Sequence, residues 1–360
     1  MLVTDITKQT ITIEGKTYSY EELVQLQKDN PCSFLDFKID VLNFLDEWFD
    51  GTEEMTIYTS GSTGKPKTLI VRKQQMINSA VMTCRFLGLD SGDKCLLCMP
   101  LNYIAGKMII IRALVAGLDI YPVAPSGHPL RDLDIRFKFA AMVPLQIFDS
   151  MQKPLECERL RKIGNLLIGG GALDKRLESK LEDFPNPVYV SYGMAETLSH
   201  IAMRRINGKL ASLDYTPLPS VSISLSEEWT LVVDAPLLND KRLITNDIAQ
   251  INSDGTFRIL GRKDNIINTG GIKIQIETLE ALIGNFIFTP FAITSLPDIK
   301  YGEMIVLVTE QPIEASLLTQ NLTPYQIPKL IFQLGTIPRT ESGKINRAEL
   351  KKIVSKMSNL

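Results

Sequence analysis

Ten consecutive residues concentrate groups able to hold phosphate: Tyr58-Thr59-Ser60-Gly61-Ser62-Thr63-Gly64-Lys65-Pro66-Lys67. Glycine lets a backbone enter left-handed conformations and bring its N–H groups close to an anion. The hydroxyls of Thr59, Ser60, Ser62 and Thr63, with the ammoniums of Lys65 and Lys67, complete the cradle. It is not the G-x-x-x-x-G-K-[ST] loop of the common nucleotide hydrolases. Pro66 stands where that motif needs Ser or Thr, and no helix pattern begins there. The bland alternative is a solvated glycine-rich turn, which this particular residue order disfavours.

The flanking residues 55–58 and 68–71 read as strands, so the cradle is a strand–loop–strand turn. Around it the chain alternates. Residues 10–20 suggest a hairpin about Glu14-Gly15, followed by a helix from Ser19 or Tyr20. The spacing over 34–49 predicts a helix with Phe37, Val41, Phe44, Leu45 and Trp48 on one face. Helices are expected over 73–87, 108–116, 144–151 and 175–181. Strands are expected over 94–99, 119–123, 140–143, 166–168 and 187–191. Such alternation marks a largely parallel sheet, with ligands gathered at the carboxyl ends of its strands. From about Ile201 short strands dominate as far as Leu260. The last hundred or so residues return to mixed α/β, with helices over 275–284 and 348–357 and strands near Phe291 and over 304–309. The expected fold class is α/β: a large N-terminal domain over 1–261, with a mixed, largely parallel sheet plus a β-rich part, a hinge at 262–264, and a small mobile α+β domain over 265–360.

Composition narrows the function. The 360 residues are 44% hydrophobic and 22% charged, with net charge −2, an ordinary globular balance without the basic excess of a nucleic-acid surface. No run of about eighteen apolar residues exists, and the apolar stretch around 108–115 is interrupted by Arg112. The first residues lack the apolar core of a secretion signal, so a cytoplasmic protein is expected. Cys95 and Cys98 have C-x-x-C spacing. No second such pair or paired histidine accompanies them, and they read as core residues of a buried strand; the other cysteines are Cys32, Cys84 and Cys157.

The order of residues 58–67 resembles the phosphate loop of the adenylate-forming enzymes: acyl- and aryl-CoA synthetases, luciferases and peptide-synthetase adenylation domains. Further stretches in the same order carry the resemblance to residue 347. Gly169-Gly170-Gly171-Ala172-Leu173 resembles the loop beside the adenine, implicating Gly170, Gly171 and Ala172. Ser191-Tyr192-Gly193-Met194-Ala195-Glu196-Thr197 resembles Y-G-x-T-E, in which the Tyr192 ring packs on adenine and Glu196 holds Mg²⁺ at the phosphates. Magnesium is a hard ion that prefers oxygen, which suits a carboxylate. Ala195 replaces the usual Thr, so the hydroxyl contact to the α-phosphate passes to Thr63 or Thr197. Thr245-Asn246-Asp247 resembles T-G-D, with Asp247 on the ribose hydroxyls and Asn246 in a turn that asks for positive φ. Arg262 would contact the ribose too, and Asp264 matches the hinge. Thr269-Gly270-Gly271 resembles the turn beside the thiol tunnel for coenzyme A. Pro338 to Arg347 resembles P-x-T-x-x-G-K-I-x-R, whose lysine, here Lys344, stabilises the negative charge built when a carboxylate attacks the α-phosphate.

The resemblance implies an acid–thiol ligase that uses ATP, Mg²⁺ and coenzyme A, with Lys344, Glu196 and Thr63 in catalytic positions. The 57 residues before the loop make a short form, similar to the compact o-succinylbenzoate–CoA ligases of menaquinone biosynthesis. Pro100 to Lys107 replaces the family's P-L-x-H-x-x-G, with Tyr103 at the His position. Asn102, Tyr103, Lys107, Ser199 and His200 are therefore candidates for the acyl pocket. A substrate carboxylate left free after activation needs a cation or several donors, and Lys107 and His200, with Ser199 as a hydroxyl donor, would supply them. Alternatives are a ligase for another aryl or short acyl acid, an adenylation module loading a carrier protein, and a non-catalytic nucleotide binder. The expected partners are small molecules, with no nucleic acid and no membrane span. A homo-oligomer is left open.

Overall fold

A computed structural model of the chain describes residues 2–29, 37–58, 68–171, 173–340 and 344–358. The phosphate-loop candidates Thr59, Ser60, Gly61, Ser62, Thr63, Gly64, Lys65 and Lys67 lie outside the described residues, as do Ala172 and Cys32. By internal contacts the chain divides into two units. One takes in the described residues of Met1–Ser60, Pro66–Ser222 and Asp234–Arg242, the other those of Ile223–Val233 and Leu243–Leu360.

The first unit is built on a nine-stranded sheet. Its order is Thr216–Pro217, His200–Arg205, Val188–Gly193, Asn165–Ile168, Phe139–Met142, Lys94–Leu97, Asp119–Pro122, Ile11–Ile13 and Lys16–Tyr18. Pairing is parallel from Val188–Gly193 through to Ile11–Ile13 and antiparallel at both edges. Phe139–Met142 and Asn165–Ile168 are buried at every position, the pattern of strands covered on both faces. The largely parallel sheet is as expected, and so are the buried Cys95 and Cys98 and the apolar face from Phe37 to Trp48.

Some elements differ from expectation. The apolar helix begins at Ile104, one turn earlier than 108, because Tyr103 is already extended and acts as its N-cap. It is buried all round from Gly106 to Ala116, as a helix without a polar face must be. Pro154–Arg161 forms a helix that its alternating charges concealed. Residues 200–205, placed at the edge of the β-rich stretch, join the main sheet instead, antiparallel to Val188–Gly193. Among the described residues no helix is long and apolar enough to cross a membrane.

The second unit holds most of a four-stranded sheet, Ser222–Leu225, Thr230–Asp234, Leu243–Ile251 and Phe257–Arg262 in that order. It also holds a five-stranded sheet centred on Gly302–Thr309, which pairs with Phe291–Asp298 and Ile266–Thr269 antiparallel and with Leu330–Gln333 parallel. Ile305 and Leu307 enter one core with the helix Ile276–Ile283, while Val306 and Val308 enter another with the helix Arg347–Met357. This is the period of two expected of a strand covered on both faces.

One ion pair joins these layers. The Arg347 guanidinium donates to Glu280 with both terminal nitrogens, at 3.0 and 2.7 Å, and to the Ile293 carbonyl at 3.1 Å. The Glu280 carboxylate also accepts from the Ile293 amide at 2.8 Å. Both side chains are largely covered, so removing one strands the other. Glu280→Ala is expected to destabilise the fold by about 3 kcal/mol, read as a lower urea midpoint. Glu280→Asp, which keeps the charge, should cost clearly less.

Candidate active site

Each strand end that carried a motif can now be followed to its side chains. In the first unit the strands Glu54–Tyr58 and Thr68–Arg72 pair antiparallel, with Tyr58 opposite Thr68, so both ends of the phosphate-loop stretch are held side by side. Tyr58 also makes a parallel bridge to Tyr103, which brings the stretch from Pro100 to Lys107 to the base of that loop. Asn102 is exposed beside it.

The strand Val188–Gly193 carries the next motif. Its Ser191 hydroxyl donates to the Ile168 carbonyl at 3.1 Å, placing the Gly169–Gly171 turn next to it. The Tyr192 ring lies 5.8 Å from that of Tyr215, tilted by 56°. Gly193 pairs with His200, and a Cβ there would meet the Ser199 carbonyl oxygen at 2.3 Å and the His200 Cα at 2.5 Å. The close crossing of two backbones therefore requires glycine. Between them the chain makes a tight turn, with Leu198 at φ 65°, a strained conformation for a branched residue. The Thr197 hydroxyl holds that turn: it accepts from the Met194 amide at 3.0 Å and lies within donating distance of the carbonyls of Met194 and Ser199. It is thus engaged by backbone, and Thr63, the other hydroxyl expected to replace the one missing at Ala195, lies outside the described residues. Glu196 is exposed, and its carboxylate has no partner among the described residues.

The acyl-pocket candidates sort differently from their sequence reading. Lys107 is 8% exposed, and its ammonium is paired with Glu47 at 2.8 Å beside the Phe44 ring. It is a satisfied core cation, not a free one. His200 begins a strand; it is 6% exposed, and burial followed by the nearby Arg112 charge hold its pKa well below the ordinary histidine value. The cation that sequence reasoning passed over is Arg112. It is 2% exposed, and desolvation pushes its pKa down to about 10. Its Nη2 donates to the Ser199 hydroxyl at 2.6 Å, its Nε has no acceptor, and no carboxylate pairs with it among the described residues. The neighbouring thiols bring no charge, since burial raises Cys84 to about 11 and Cys95 further still. The available signal was one charge in an otherwise unbroken apolar helix.

In the second unit Thr245 to Asp247 lie within the strand Leu243–Ile251, and Asn246 does not take the positive φ expected of it. The Thr245 hydroxyl accepts from the Asp247 amide at 3.0 Å. Arg262 makes a two-pronged contact with Asp264, at 3.0 and 2.9 Å, and reaches Asp247 at 3.3 Å. Desolvation alone would raise the Asp264 pKa, but the Arg262 hydrogen bonds and charge outweigh it and lower it. Gly270 and Gly271, at φ 59° and 82°, form the two-residue turn after Thr269. Lys344 stands next to a hairpin bridge between Arg339 and Ile345, and its carbonyl accepts from the Thr340 amide at 2.7 Å. The residue is exposed as a whole, yet desolvation about its ammonium and then the Arg262 charge lower its pKa, against the pull of Asp247. Asn346 caps the next helix by accepting from the Glu349 amide.

A model of the AMP-binding enzyme family matches residues 48–237, more than half of the chain. The chain belongs to the AMP-binding enzyme family. Among its curated relatives is the 2-succinylbenzoate–CoA ligase of Listeria monocytogenes, 27% identical over 95% of this chain and 76% of that protein. The protein of the same name from Bacillus cereus strain Q1 is 28% identical over 87% of this chain and 73% of its own length. Among solved structures, an acyl-CoA synthetase (AMP-forming)/AMP-acid ligase II-like protein from Dyadobacter fermentans is 31% identical, with TM-score 0.61 over 88% of this chain and 94% of that one. The o-succinylbenzoate CoA synthetase of Bacillus subtilis, solved with ATP and magnesium, shares the fold at 21% identity, with TM-score 0.69 over 93% of this chain and 82% of that one.

For this AMP-binding enzyme, Gly193→Ala forces the two crossing backbones apart. It should lower the melting temperature and raise the KM for ATP at least several-fold, as the strand that carries Tyr192 shifts. A variant with wild-type values of both would contradict the crossing described for Gly193.

Proposed function

We propose that this enzyme is an AMP-forming acid–CoA ligase whose acid is 2-succinylbenzoate, the compound in the names of its relatives. The observation that carries the choice of acid is Arg112. A buried guanidinium with an unfilled Nε–H suits a substrate that retains a carboxylate after its other carboxylate is activated. A fatty-acid pocket would leave that cation without an anion. Buried free thiols at Cys84, Cys95 and Cys98 suit the reducing cytoplasm as its place of work.

In the first half-reaction a carboxylate oxygen of the acid attacks the α-phosphorus of ATP. A carbonyl–O–P bond forms and pyrophosphate leaves. Lys344 stabilises the charge that develops there. Thr59 to Lys67 hold the phosphates, Gly170, Gly171, Ala172, Ser191, Tyr192 and Gly193 the base, and Asp247 and Arg262 the ribose. Mg²⁺ bound to the phosphates would neutralise charge on the leaving group. Glu196, exposed and unpaired, fits a metal usually held by one or two carboxylates plus phosphates, and no cluster of three or more ligating side chains occurs among the described residues. In the second half-reaction the thiol of coenzyme A loses its proton, attacks the acyl carbonyl and releases AMP. Segment 265–360 is proposed to turn about Asp264 between the halves, exchanging Lys344 for the Thr269-Gly270-Gly271 turn.

Two measurements test this. Pyrophosphate exchange across a panel of acids should be fastest with 2-succinylbenzoate; a faster monocarboxylic acid would overturn the choice of acid. Lys344→Ala should lower exchange by about a hundredfold or more, while thioester formation from supplied acyl-AMP stays near wild type. Equal loss of both halves would overturn the two-state assignment.

A further inference from the structure

The four hydrogen bonds around Arg112 can all be made together in only one direction. At one end the Thr83 hydroxyl donates to the Ser79 carbonyl at 3.0 Å, and a carbonyl can only accept. Toward His200 Nε2, 2.9 Å away, the Thr83 oxygen must therefore accept, so Nε2 carries the proton. At the other end a guanidinium can only donate, so the Ser199 oxygen accepts from Arg112. The Ser199 proton is then left for His200 Nδ1, 3.3 Å away, which is bare in the neutral Nε2–H tautomer. A doubly protonated ring would turn a second donor on Ser199 and bring two cations together in a buried site. Arg112 is the one charged group that acts on the ring among the described residues, and it opposes that state.

We propose that Ser79, Thr83, His200, Ser199 and Arg112 form a single directed hydrogen-bond chain, and that His200 is a positioning residue, neutral and in the Nε2–H tautomer, that aims Arg112 at the substrate. Ser199 gives its proton to His200 and cannot also donate to an acid, which reverses the role its sequence position suggested. Arg112 is the charged member of the chain, and beyond its bond to Ser199 it keeps donors with no acceptor among the described residues, the buried Nε–H included. The chain spans three elements, the helices Lys73–Leu87 and Ile104–Ala116 and the strand His200–Arg205 that follows the Tyr192 motif. The orientation of the cation is thereby tied to the strand beside the nucleotide motif. The proton assignment stands on its own; the effect on substrate rests on the proposed reading of Arg112 as the anion receiver.

The chain contains two histidines, so ¹⁵N-histidine labelling, with His128→Gln for assignment, isolates His200. The expected spectrum shows a neutral Nε2–H ring that does not titrate between roughly pH 5.5 and 8, where an ordinary histidine does. An Nδ1–H ring, or a titration within that range, overturns the proposal. Function supplies the second arm, with pyrophosphate exchange and 2-succinylbenzoate as the probe. Glutamine can repeat both contacts, its carbonyl accepting from Ser199 and its amide donating to Thr83; leucine repeats neither. His200→Leu should raise the KM for the acid about tenfold with the KM for ATP unchanged, and His200→Gln should restore it to within a few-fold. Equal defects in both variants, or a KM for ATP that moves with that for the acid, would reduce His200 to a packing residue. If the wild-type enzyme does not use 2-succinylbenzoate, the choice of acid fails while the NMR arm still decides the proton chain.

Discussion

A guanidinium inside an apolar helix is costly unless its donors are met. Arg112 lies where the sheet of the first unit is covered by a helix with no polar face, and its one described acceptor is a serine hydroxyl. That shortage organises its surroundings. In the proposed chain Ser199 turns a lone pair toward it, His200 accepts the serine hydrogen bond, and Thr83 accepts the one from His200. The cation is held in place by neutral groups and has no anion among the described residues. A substrate that brings a carboxylate would supply the missing charge.

The fold was legible where periodicity was strong. The apolar run over 140–143 read as a strand and forms one at Phe139–Met142, and Gly117 ends its helix in the left-handed conformation that glycine favours. The site was legible where a motif needed a particular backbone. Gly193 is required by a crossing at 2.3 Å, and Gly270-Gly271 by a two-residue turn. Partnership was not legible. Lys107 and Arg112 are five residues apart on one helix, and nothing local says that the first meets Glu47, sixty residues away, while the second meets no carboxylate among the described residues. Asn246 shows the opposite failure: a turn was inferred from motif likeness, and the strand pairing of Leu243–Ile251 overrode it.

The residues of the last motif divide between chemistry and scaffolding. Asn346 caps a helix and Arg347 joins three layers through Glu280, so two of the residues nearest Lys344 are structural. That leaves the lysine beside a capped helix, its ammonium without a carboxylate partner among the described residues. Arg262, bonded at once to Asp264 and Asp247, makes a comparable junction between the proposed ribose contact and the proposed hinge.

The central claim is that Arg112 receives the second carboxylate of the acid. The most direct measurement is calorimetric affinity for 2-succinylbenzoate and for its analogue with the retained carboxylate replaced by a carboxamide, each on the wild type and on Arg112→Gln. The account predicts that the wild type prefers the dicarboxylate by about tenfold or more, and that the variant shows almost no preference. An equal preference in both proteins would mean that the carboxylate is recognised elsewhere, and would contradict it.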